Sequence, residues 1–174
     1  MSWNKSYILK TFYDAITNQG FFVEEIQGDL YVISNDDLLC RPLRLKLIEA
    51  IPVDPTKLGS VNGIEIKAIG FFTFIPSKVE EFDYYIFAFE NKPDNRVDFI
   101  VISCSELNKR LALVTPLVNS NGLIGLRFWL LPNNLLFETT KLGAEGEWWL
   151  IGGRMAENTE RDYTKFLNGW EHLK

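Results

Sequence analysis

Residues 63–74 read GIEIKAIGFFTF, a strand-like run in which Glu65 and Lys67 are the only charged residues. Side chains alternate between the two faces of a β-strand, so we expect Glu65 and Lys67 on one face, with α-carbons about 6.6 Å apart. Residues 69–75 are largely apolar on both faces, which is typical of a strand inside a sheet. Charged side chains are seldom buried without a partner. The pair therefore indicates either a solvated strand or half of a catalytic site.

The Glu65-Ile66-Lys67 triplet carries little information by its letters alone. A chain of this composition contains about one or two acid-x-Lys triplets by chance, and this chain has two. The second, Glu90-Asn91-Lys92, runs from the end of a strand into a turn, so we interpret it as solvated. What distinguishes the first triplet is its apolar setting.

Alternating helix and strand patterns surround this run. Ile8, Phe12 and Ile16 recur at helical spacing ahead of Gly20, which predicts a helix over 5–19. Short β-rich runs follow, and their sequences are FFVEEI, DLYVIS and LRLKLIEA. After residue 75, Ser77 and Glu80 are spaced as the capping box of a short helix.

The second half of the chain continues the mixed pattern. Four further strands are predicted, with the sequences DYYIFAFE, VDFIVIS, LIGLRFWLL and EWWLI. A helix is predicted at ELNKRLAL, after a capping box formed by Ser103 and Glu106. A closing helix from about Thr159 would carry an apolar stripe, made of Tyr163, Phe166, Leu167 and Trp170. The sequence therefore predicts a mixed α/β layer fold.

Composition limits both the architecture and the function. With 174 residues, 47% of them hydrophobic, the chain suits one globular domain over residues 1–174. The net charge of −5 argues against a protein that coats nucleic acid nonspecifically, because that affinity comes from Lys and Arg. Cys40 and Cys104 make no disulfide framework, and we see neither a secretory signal nor a long apolar span. We therefore expect a cytoplasmic protein.

The succession of GIEIKAIGFF, KVEEFDYYIFAF and VDFIVIS resembles the PD-(D/E)xK nuclease superfamily, the fold of many restriction endonucleases. The core of that family is a helix, a three-stranded antiparallel meander, a crossover helix and a further strand. The resemblance covers residues 5 to about 112. It implies a restriction endonuclease-like mixed sheet flanked by helices, to which this chain adds carboxy-terminal strands and a closing helix.

The resemblance also implies a Mg²⁺-dependent DNA endonuclease. Asp54, Glu65 and the carbonyl of Ile66 would bind the metal, since Mg²⁺ prefers hard oxygen ligands. Lys67 would orient the attacking water or stabilise the developing negative charge. Two basic pairs are candidates for contacts to the DNA backbone, namely Arg44 with Lys46 and Lys109 with Arg110. A homodimer is expected, because one small domain carries one site and duplex cleavage needs two cuts.

The identity of the upstream acid depends on the turn before the Glu-x-Lys strand. A loop centred near residues 59 and 60 would place Asp54 opposite Glu65, whereas a tight turn at 62–63 would move Asp54 past it. Three other acids would then compete for the role, namely Glu49, Asp36 and Asp37. In some relatives the catalytic lysine comes from the helix, which would be Lys78 here.

Two main classes of function therefore remain open from the sequence, with a small enzyme on an unrelated fold as a third. The first is the Mg²⁺-dependent DNA endonuclease. The alternative is a noncatalytic domain on a related α/β scaffold that binds protein or nucleic acid through its aromatic carboxy-terminal third, which contains Trp129, Trp148, Trp149 and Trp170. The two differ in whether another acid lies close enough to Glu65 to share a metal ion.

Overall fold

Strands dominate the architecture of the protein. The computed structural model describes residues 5–34, 41–53, 58–61, 63–75, 81–114, 117–140 and 160–173. The helices in these residues are α1 (Lys5–Thr17) and α2 (Cys104–Val114). The strands are β1 (Phe21–Ile26), β2 (Asp29–Ser34), β3 (Leu43–Glu49), β4 (Ser60–Val61), β5 (Ile64–Glu65), β6 (Ala68–Phe74), β7 (Tyr84–Asn91), β8 (Arg96–Ser103), β9 (Leu117–Val118), β10 (Ile124–Leu130) and β11 (Leu136–Glu138).

The larger sheet has five strands in the order β1-β2-β3-β7-β8. Its neighbouring strands are antiparallel except β3 and β7, which are parallel. The β1–β2 hairpin turns at Gln27 and Gly28, which have φ values of 55° and 86°. Positive φ at both central residues is what a two-residue type I′ hairpin turn requires. The expected α/β class with a mixed sheet is confirmed.

A second sheet is built from β6, β9, β10 and β11. β6 is antiparallel to β10 along its whole length, with Ala68 opposite Leu130 and Phe74 opposite Ile124. The continuous strand expected over residues 63–74 is instead divided into β5 and β6. The cause is a change of hydrogen-bond partner, because the Ile66 N–H donates to Gly59 O (3.0 Å) whereas the Lys67 N–H donates to Leu130 O (2.8 Å).

Two apolar cores lie on opposite faces of the five-stranded sheet. Between the two sheets, the Phe72 and Phe87 rings are 5.0 Å apart, centroid to centroid, in an edge-to-face contact. On the other face, α1 buries Ile8, Phe12 and Ile16 against the sheet. The apolar spacing that predicted this helix is therefore the spacing of its buried face.

The closing helix expected from about Thr159 is not formed in residues 160–173. This segment contains two short 3-10 turns, Thr164–Phe166 and Trp170–His172. Asn168 lies between them at a φ of 52°, and its N–H donates to Phe99 O at 2.6 Å. Pairing with β8 therefore replaces the i to i+4 bonds of a helix, although the aromatic spacing is helical.

Several other expectations have clear outcomes. The run LIGLRFWLL forms β10, and ELNKRLAL lies within α2, where the Ser103 hydroxyl accepts a hydrogen bond from the Glu106 N–H (3.3 Å). The short helix expected after Ser77 and the strand EWWLI, with its two tryptophans, lie outside the described residues.

Candidate functional site at the carboxyl ends of two parallel strands

Glu65 lies at the end of the two-residue strand β5. It pairs with Ser60 of β4 in a small hairpin, and its side chain is exposed. The next residue, Ile66, is buried in an apolar cluster with Trp129 and Phe137. The apolar setting that made the triplet noteworthy therefore belongs to Ile66, and the Glu65 carboxylate reaches solvent.

Lys67 is paired with an acid that the sequence did not suggest. Its Nζ lies 3.8 Å from Oδ2 of Asp94, in the turn between β7 and β8, and both side chains are partly exposed. The same carboxylate oxygen lies 3.6 Å from Nη2 of Arg96 and accepts a hydrogen bond from Asn91 Nδ2 at 3.0 Å. Lys67 and Glu65 therefore have different surroundings, although only one residue separates them.

Most of the other acids suggested by the sequence fall outside the part of the chain that the structure describes. Asp54, Asp36 and Asp37 lie there, as does Lys78. Glu49 is described, and it is the last residue of β3, where it pairs in register with Ala88 of β7. Its side chain is half-buried. Of the acids proposed to complete the site, Glu49 is thus the one whose surroundings are known.

A small cavity of about 140 Å³ lies where β3 and β7 end. Because these strands are parallel, their carboxyl ends meet at one edge of the sheet, which is where open α/β sheets commonly bind ligands. The charged residues that line the cavity are Glu49, Glu90 and Lys92. Ala68 and Ile69, which directly follow Lys67, also line it. We call this space, with its three charged residues, the strand-end cavity.

The residues on either side of the undescribed segment 54–57 lie at this cavity. Val53 and Leu58, which flank residues 54–57 on either side, both line it. Glu90 and Lys92 form an ion pair, with 3.6 Å between Oε2 and Nζ. The strand-end cavity is therefore lined by a carboxylate from each parallel strand, Glu49 and Glu90, and by the ammonium group of Lys92. It also lies next to Ala68 and Ile69, which follow Lys67.

A buried hydrogen-bond network fixes the turn beside the strand-end cavity. The fully buried Asp98 carboxylate accepts hydrogen bonds from Asn91 Nδ2 (2.7 Å), Arg96 Nε (2.8 Å) and Asn168 Nδ2 (2.8 Å). Three donors compensate for the cost of burying the charge. Because Asn91 stands between Glu90 and Lys92, this network holds the backbone that presents both side chains.

The basic residues suggested for DNA contacts differ in availability. Arg44 donates to Asp29 Oδ2 (2.6 Å), and Lys46 is exposed near the ring of Phe82. Lys109 is exposed on α2. Arg110 is 7% exposed and donates to the carbonyl oxygens of residues 160 and 162, so it anchors the carboxy-terminal segment and cannot meet a DNA backbone. That part of the expectation is wrong, because the guanidinium is used inside the protein.

Sequence reasoning missed that Glu90 and Lys92 line a cavity, because it interpreted Glu90-Asn91-Lys92 as solvated. Glu90 is only 19% exposed and Lys92 33% exposed, and both face the strand-end cavity. The signal that could have found them is the strongly apolar run 84–89, which is typical of a strand with covered faces and hence of parallel pairing. The partner strand of β7 was not readable from that run alone.

The described residues contain no group of three or more His, Cys, Asp or Glu side chains placed to hold a metal ion. Glu49 and Glu90 are the carboxylates that the described part of the cavity offers. No known protein family, curated protein or solved structure matches this chain. Within the described ranges, no helix is both long and apolar enough to cross a membrane.

Proposed function

We propose that the protein is a Mg²⁺-dependent DNA endonuclease with a restriction endonuclease-like core. The observation that carries this proposal is that Glu49 and Glu90, from two adjacent parallel strands, line one cavity together with Lys92. Acidic side chains beside a lysine at a strand end are the residue types that metal-assisted phosphodiester hydrolysis uses.

The order of elements supports the same proposal. α1 is followed by the antiparallel meander β1-β2-β3, a crossover, and β7 parallel to β3. The family that the sequence resembles has a helix, a meander of three strands, a crossover helix and a further strand in this order. Here the described crossover contains β4, β5 and β6.

One departure from the family pattern changes which residues are favoured. The third strand of the meander is β3, which carries Arg44-Leu45-Lys46 and ends at Glu49. Glu65-Ile66-Lys67 belongs to the crossover. Asp54, Glu65 and Lys67 remain predicted site residues, and Glu49 and Glu90 are added as candidate ligands because they line the cavity.

The donor set fits Mg²⁺ in chemical type. Mg²⁺ is commonly bound by one or two carboxylates, with waters and substrate phosphates completing the coordination. Glu49 and Glu90 would supply these carboxylates, and Asp54 or Glu65 would add a third. When bound, the ion would polarise a phosphate oxygen and lower the pKa of a bound water.

The lysines would act on the substrate. Lys92 lies beside Glu90, and its ammonium group would stabilise negative charge that develops on a phosphate oxygen at the cavity mouth. The ion pair of Lys67 with Asp94 is long, at 3.8 Å, and partly exposed, so it is weak and a phosphate could replace the Asp94 carboxylate. Both side chains are partly exposed, so they can reach a strand of DNA.

Nicking of supercoiled plasmid by the purified protein, with and without Mg²⁺, tests the proposal. We expect Mg²⁺-dependent nicking that falls about 100-fold or more in Glu90→Gln and in Glu49→Gln, because each loses a metal ligand. Glu65→Ala and Lys67→Ala test the site expected from the Glu-x-Lys triplet. Glu24→Gln, an exposed acid of β1, is the matched control and should nick as the wild type does.

The outcomes separate the possible sites. If Glu65→Ala and Lys67→Ala lose nicking activity and Glu90→Gln retains it, the catalytic site is at Glu65-Ile66-Lys67. Nicking that survives all four substitutions would overturn both assignments. Absence of any Mg²⁺-dependent nicking by the wild type would overturn the endonuclease. The expected homodimer is tested by sedimentation with and without duplex DNA.

The second candidate function is a noncatalytic binding domain on the same scaffold. It is favoured by the exposed Glu65 and by the pairing of Lys67 with Asp94, an arrangement that a solvated surface also produces. This function predicts DNA or protein binding that neither Mg²⁺ nor Glu90→Gln alters. Binding assays with both forms therefore separate the two functions.

A further inference from the structure

One edge of β3 has a gap between two backbone partners. β2 pairs with this edge only as far as Leu45, because the β1–β2 hairpin turns back at Gln27 and Gly28. Farther along the same edge, the Ile51 N–H donates to Phe71 O of β6 at 2.7 Å. The stretch between these partners is about 20 Å long, because an extended chain rises about 3.3 Å per residue.

The backbone groups of β3 that point into this gap follow from the parallel ladder. The Ala50 N–H, directly after β3, donates to Ala88 O of β7 at 2.8 Å. In a parallel pair, alternate residues turn both backbone groups to the same neighbour, so the even-numbered residues of β3 face β7. The N–H and C=O groups of Leu47 and Glu49 therefore point into the gap, where no described backbone group bonds them.

β6 turns a similar edge towards the gap. Phe71 O faces β3, as its hydrogen bond with Ile51 shows, and Thr73 has the same orientation because it lies two residues farther along the strand. No described backbone group bonds the N–H or C=O of Thr73. Leu47, Glu49 and Thr73 all line one groove of about 630 Å³. We call this space the edge groove.

The unpaired backbone groups of the edge groove select an extended polypeptide as its ligand. A sheet edge with free N–H and C=O groups is a template for another strand, whose backbone repeats donors and acceptors at the matching spacing. Proteins that bind peptides by strand addition obtain affinity from these main-chain hydrogen bonds and specificity from the alternate side chains. The length of the gap allows about five extended residues.

One face of an added strand would meet apolar side chains. Ile48 of β3 and Phe74 of β6 belong to the core between the sheets, and both line the edge groove. Ile75, which is 45% exposed, and Leu123 line the same groove. The side chains that an added strand turns towards this core should therefore be apolar.

The other face of an added strand would meet two carboxylates. Phe21 of β1 and Leu45 of β3 point to the core under α1. Glu25 and Glu49 lie an even number of residues farther along these strands, so their side chains are on the same face. Both line the edge groove, as does Leu9 of α1. Neither carboxylate forms an ion pair with a described residue.

The remaining charged residues of the edge groove lie on the opposite face of the sheet. Asp29 forms an ion pair with Arg44, with 2.6 Å between Oδ2 and Nη2. The Lys46 Nζ lies 5.4 Å from the centroid of the Phe82 ring. The charges on the α1 side of the groove are thus both negative, and they favour a basic side chain there.

We propose that the edge groove binds an extended segment of another protein, which adds to β3 as a strand. The segment has a Lys or Arg side chain directed towards Glu25 and Glu49, and its two neighbouring residues are apolar and face Ile48 and Phe74. The free backbone edge selects the extended chain, and the two unpaired carboxylates select the basic residue. This inference is independent of the proposed endonuclease, because neither metal nor DNA takes part.

The capped peptide acetyl-Thr-Ile-Arg-Ile-Thr-amide is the probe, because its isoleucines share one face and its arginine is on the other. Amide hydrogen exchange in ¹⁵N-labelled protein is measured with and without the peptide, in the absence of divalent metal. At ten times the Kd of the peptide, exchange of the Leu47 and Glu49 amides should slow about tenfold, since the added strand accepts their hydrogen bonds.

Two further peptides separate the backbone contribution from that of the side chains. N-methyl groups on the three central residues keep every side chain but remove the donors, so this peptide should bind at least tenfold more weakly. Replacing the arginine with glutamate keeps the backbone and places a third negative charge beside the two carboxylates. This peptide should also bind about tenfold more weakly.

One protein variant and a matched control locate the basic side chain. Glu25→Gln should weaken binding of the arginine peptide about threefold, as expected for a solvent-exposed ion pair. Glu24→Gln is the control, because Glu24 is the preceding residue of β1, is also exposed and points to the opposite face. This variant should bind the peptide as the wild type does.

The proposal is overturned if exchange of the Leu47 and Glu49 amides does not change at millimolar concentrations of the arginine peptide. It is equally overturned if the N-methylated peptide or the glutamate peptide binds as tightly as the arginine peptide. If raising the protein concentration alone protects these two amides, a second copy of the chain occupies the groove, and the proposed partner is wrong.

Discussion

Asn168 and Phe99 exchange two hydrogen bonds across the gap between the carboxy-terminal segment and β8. The Asn168 N–H donates to Phe99 O (2.6 Å), and the Phe99 N–H donates to Asn168 Oδ1 (2.9 Å). The Asn168 amide also donates to the buried carboxylate of Asp98. The backbone and side chain of this one residue thus end a turn, extend the sheet edge and compensate a buried charge.

Asn168→Ala should lower the free energy of unfolding by about 2 kcal/mol. The substitution removes two side-chain hydrogen bonds and places alanine at a positive φ, where a Cβ is unfavourable. Urea titration measures the change. Asn168→Gly relieves the backbone strain but not the lost bonds, so it should be intermediate. If both variants unfold as the wild type does, this side chain does not hold the segment.

Asp83 should make stability depend on acid pH. A hydrogen bond from Arg41 is the main cause that lowers the pKa of this carboxyl, and the Arg44 N–H also donates to it (2.8 Å). A lowered pKa stabilises the folded state above the unfolded pKa, and this contribution disappears as pH falls below about 4. Asp83→Asn should therefore lower stability at pH 7 and flatten its decline in acid.

Thermal unfolding between pH 2 and pH 7 measures this effect. Asp14→Asn, which changes an exposed aspartate on α1, serves as the control and should leave the acid decline unchanged. An Asp83→Asn variant whose stability declines in acid as steeply as that of the wild type would contradict the role given to the Arg41 contact.

Gly70→Ala should destabilise the protein by about 1–3 kcal/mol through overpacking. A Cβ at this position would lie 2.7 Å from Cε2 of Phe72, whose ring is fully buried between Phe87 and Phe128 and cannot move aside. Gly59→Ala is the matched control, since a methyl group there would meet nothing within 4 Å and its φ is not positive. Denaturant midpoints of the two variants should therefore differ, with only Gly70→Ala below the wild type.

Mg²⁺ should raise the melting temperature of the protein if the strand-end cavity binds it. A ligand present at ten times its Kd stabilises the folded state by about 1.4 kcal/mol, which is roughly 3–5 °C for a chain of this size. Glu90→Gln should abolish most of this increase. Glu24→Gln, on the exposed edge strand β1, should retain it. An equal increase in all three proteins would place the ion elsewhere.

The sequence predicted α1 and β6 well, because each of these elements buries the side chains of one face. Ile8, Phe12 and Ile16 are spaced for a helix, and all three are buried on one side of α1. In β6, buried and half-buried residues alternate from Ala68 to Phe74, as a strand requires. Each of these elements packs one face on a core, so its period is visible in the sequence.

Pairing between distant segments could not be read in the same way. The run 63–74 has the alternation of a strand, but nothing in it specifies that β10, about 60 residues later, is its partner. The parallel pairing of β3 with β7 is equally hidden, and it is this pairing that brings Glu49 and Glu90 to one cavity. The sequence of Glu90-Asn91-Lys92 therefore could not indicate that Glu90 and Lys92 line a cavity.

The carboxy-terminal aromatics show how tertiary contacts override a local period. Tyr163, Phe166 and Trp170 are spaced for one face of a helix, yet they enter two different cores on opposite sides of the large sheet. A helix would keep them on one side. The hydrogen bonds of Asn168 with β8 turn the chain so that both sides are filled.

This division of the carboxy-terminal aromatics has a consequence for biosynthesis. The core between the sheets contains Tyr163 and Phe166, and the core under α1 contains Trp170 and Leu173, so neither is complete until these residues emerge from the ribosome. Until then, Phe12 and Phe99 lack the Trp170 ring that lies 6.2 Å and 5.2 Å from them in the folded protein. Between the synthesis of β8, which ends at Ser103, and that of Trp170, the nascent chain therefore leaves part of both apolar surfaces uncovered, and chaperones would be expected to bind it in that interval.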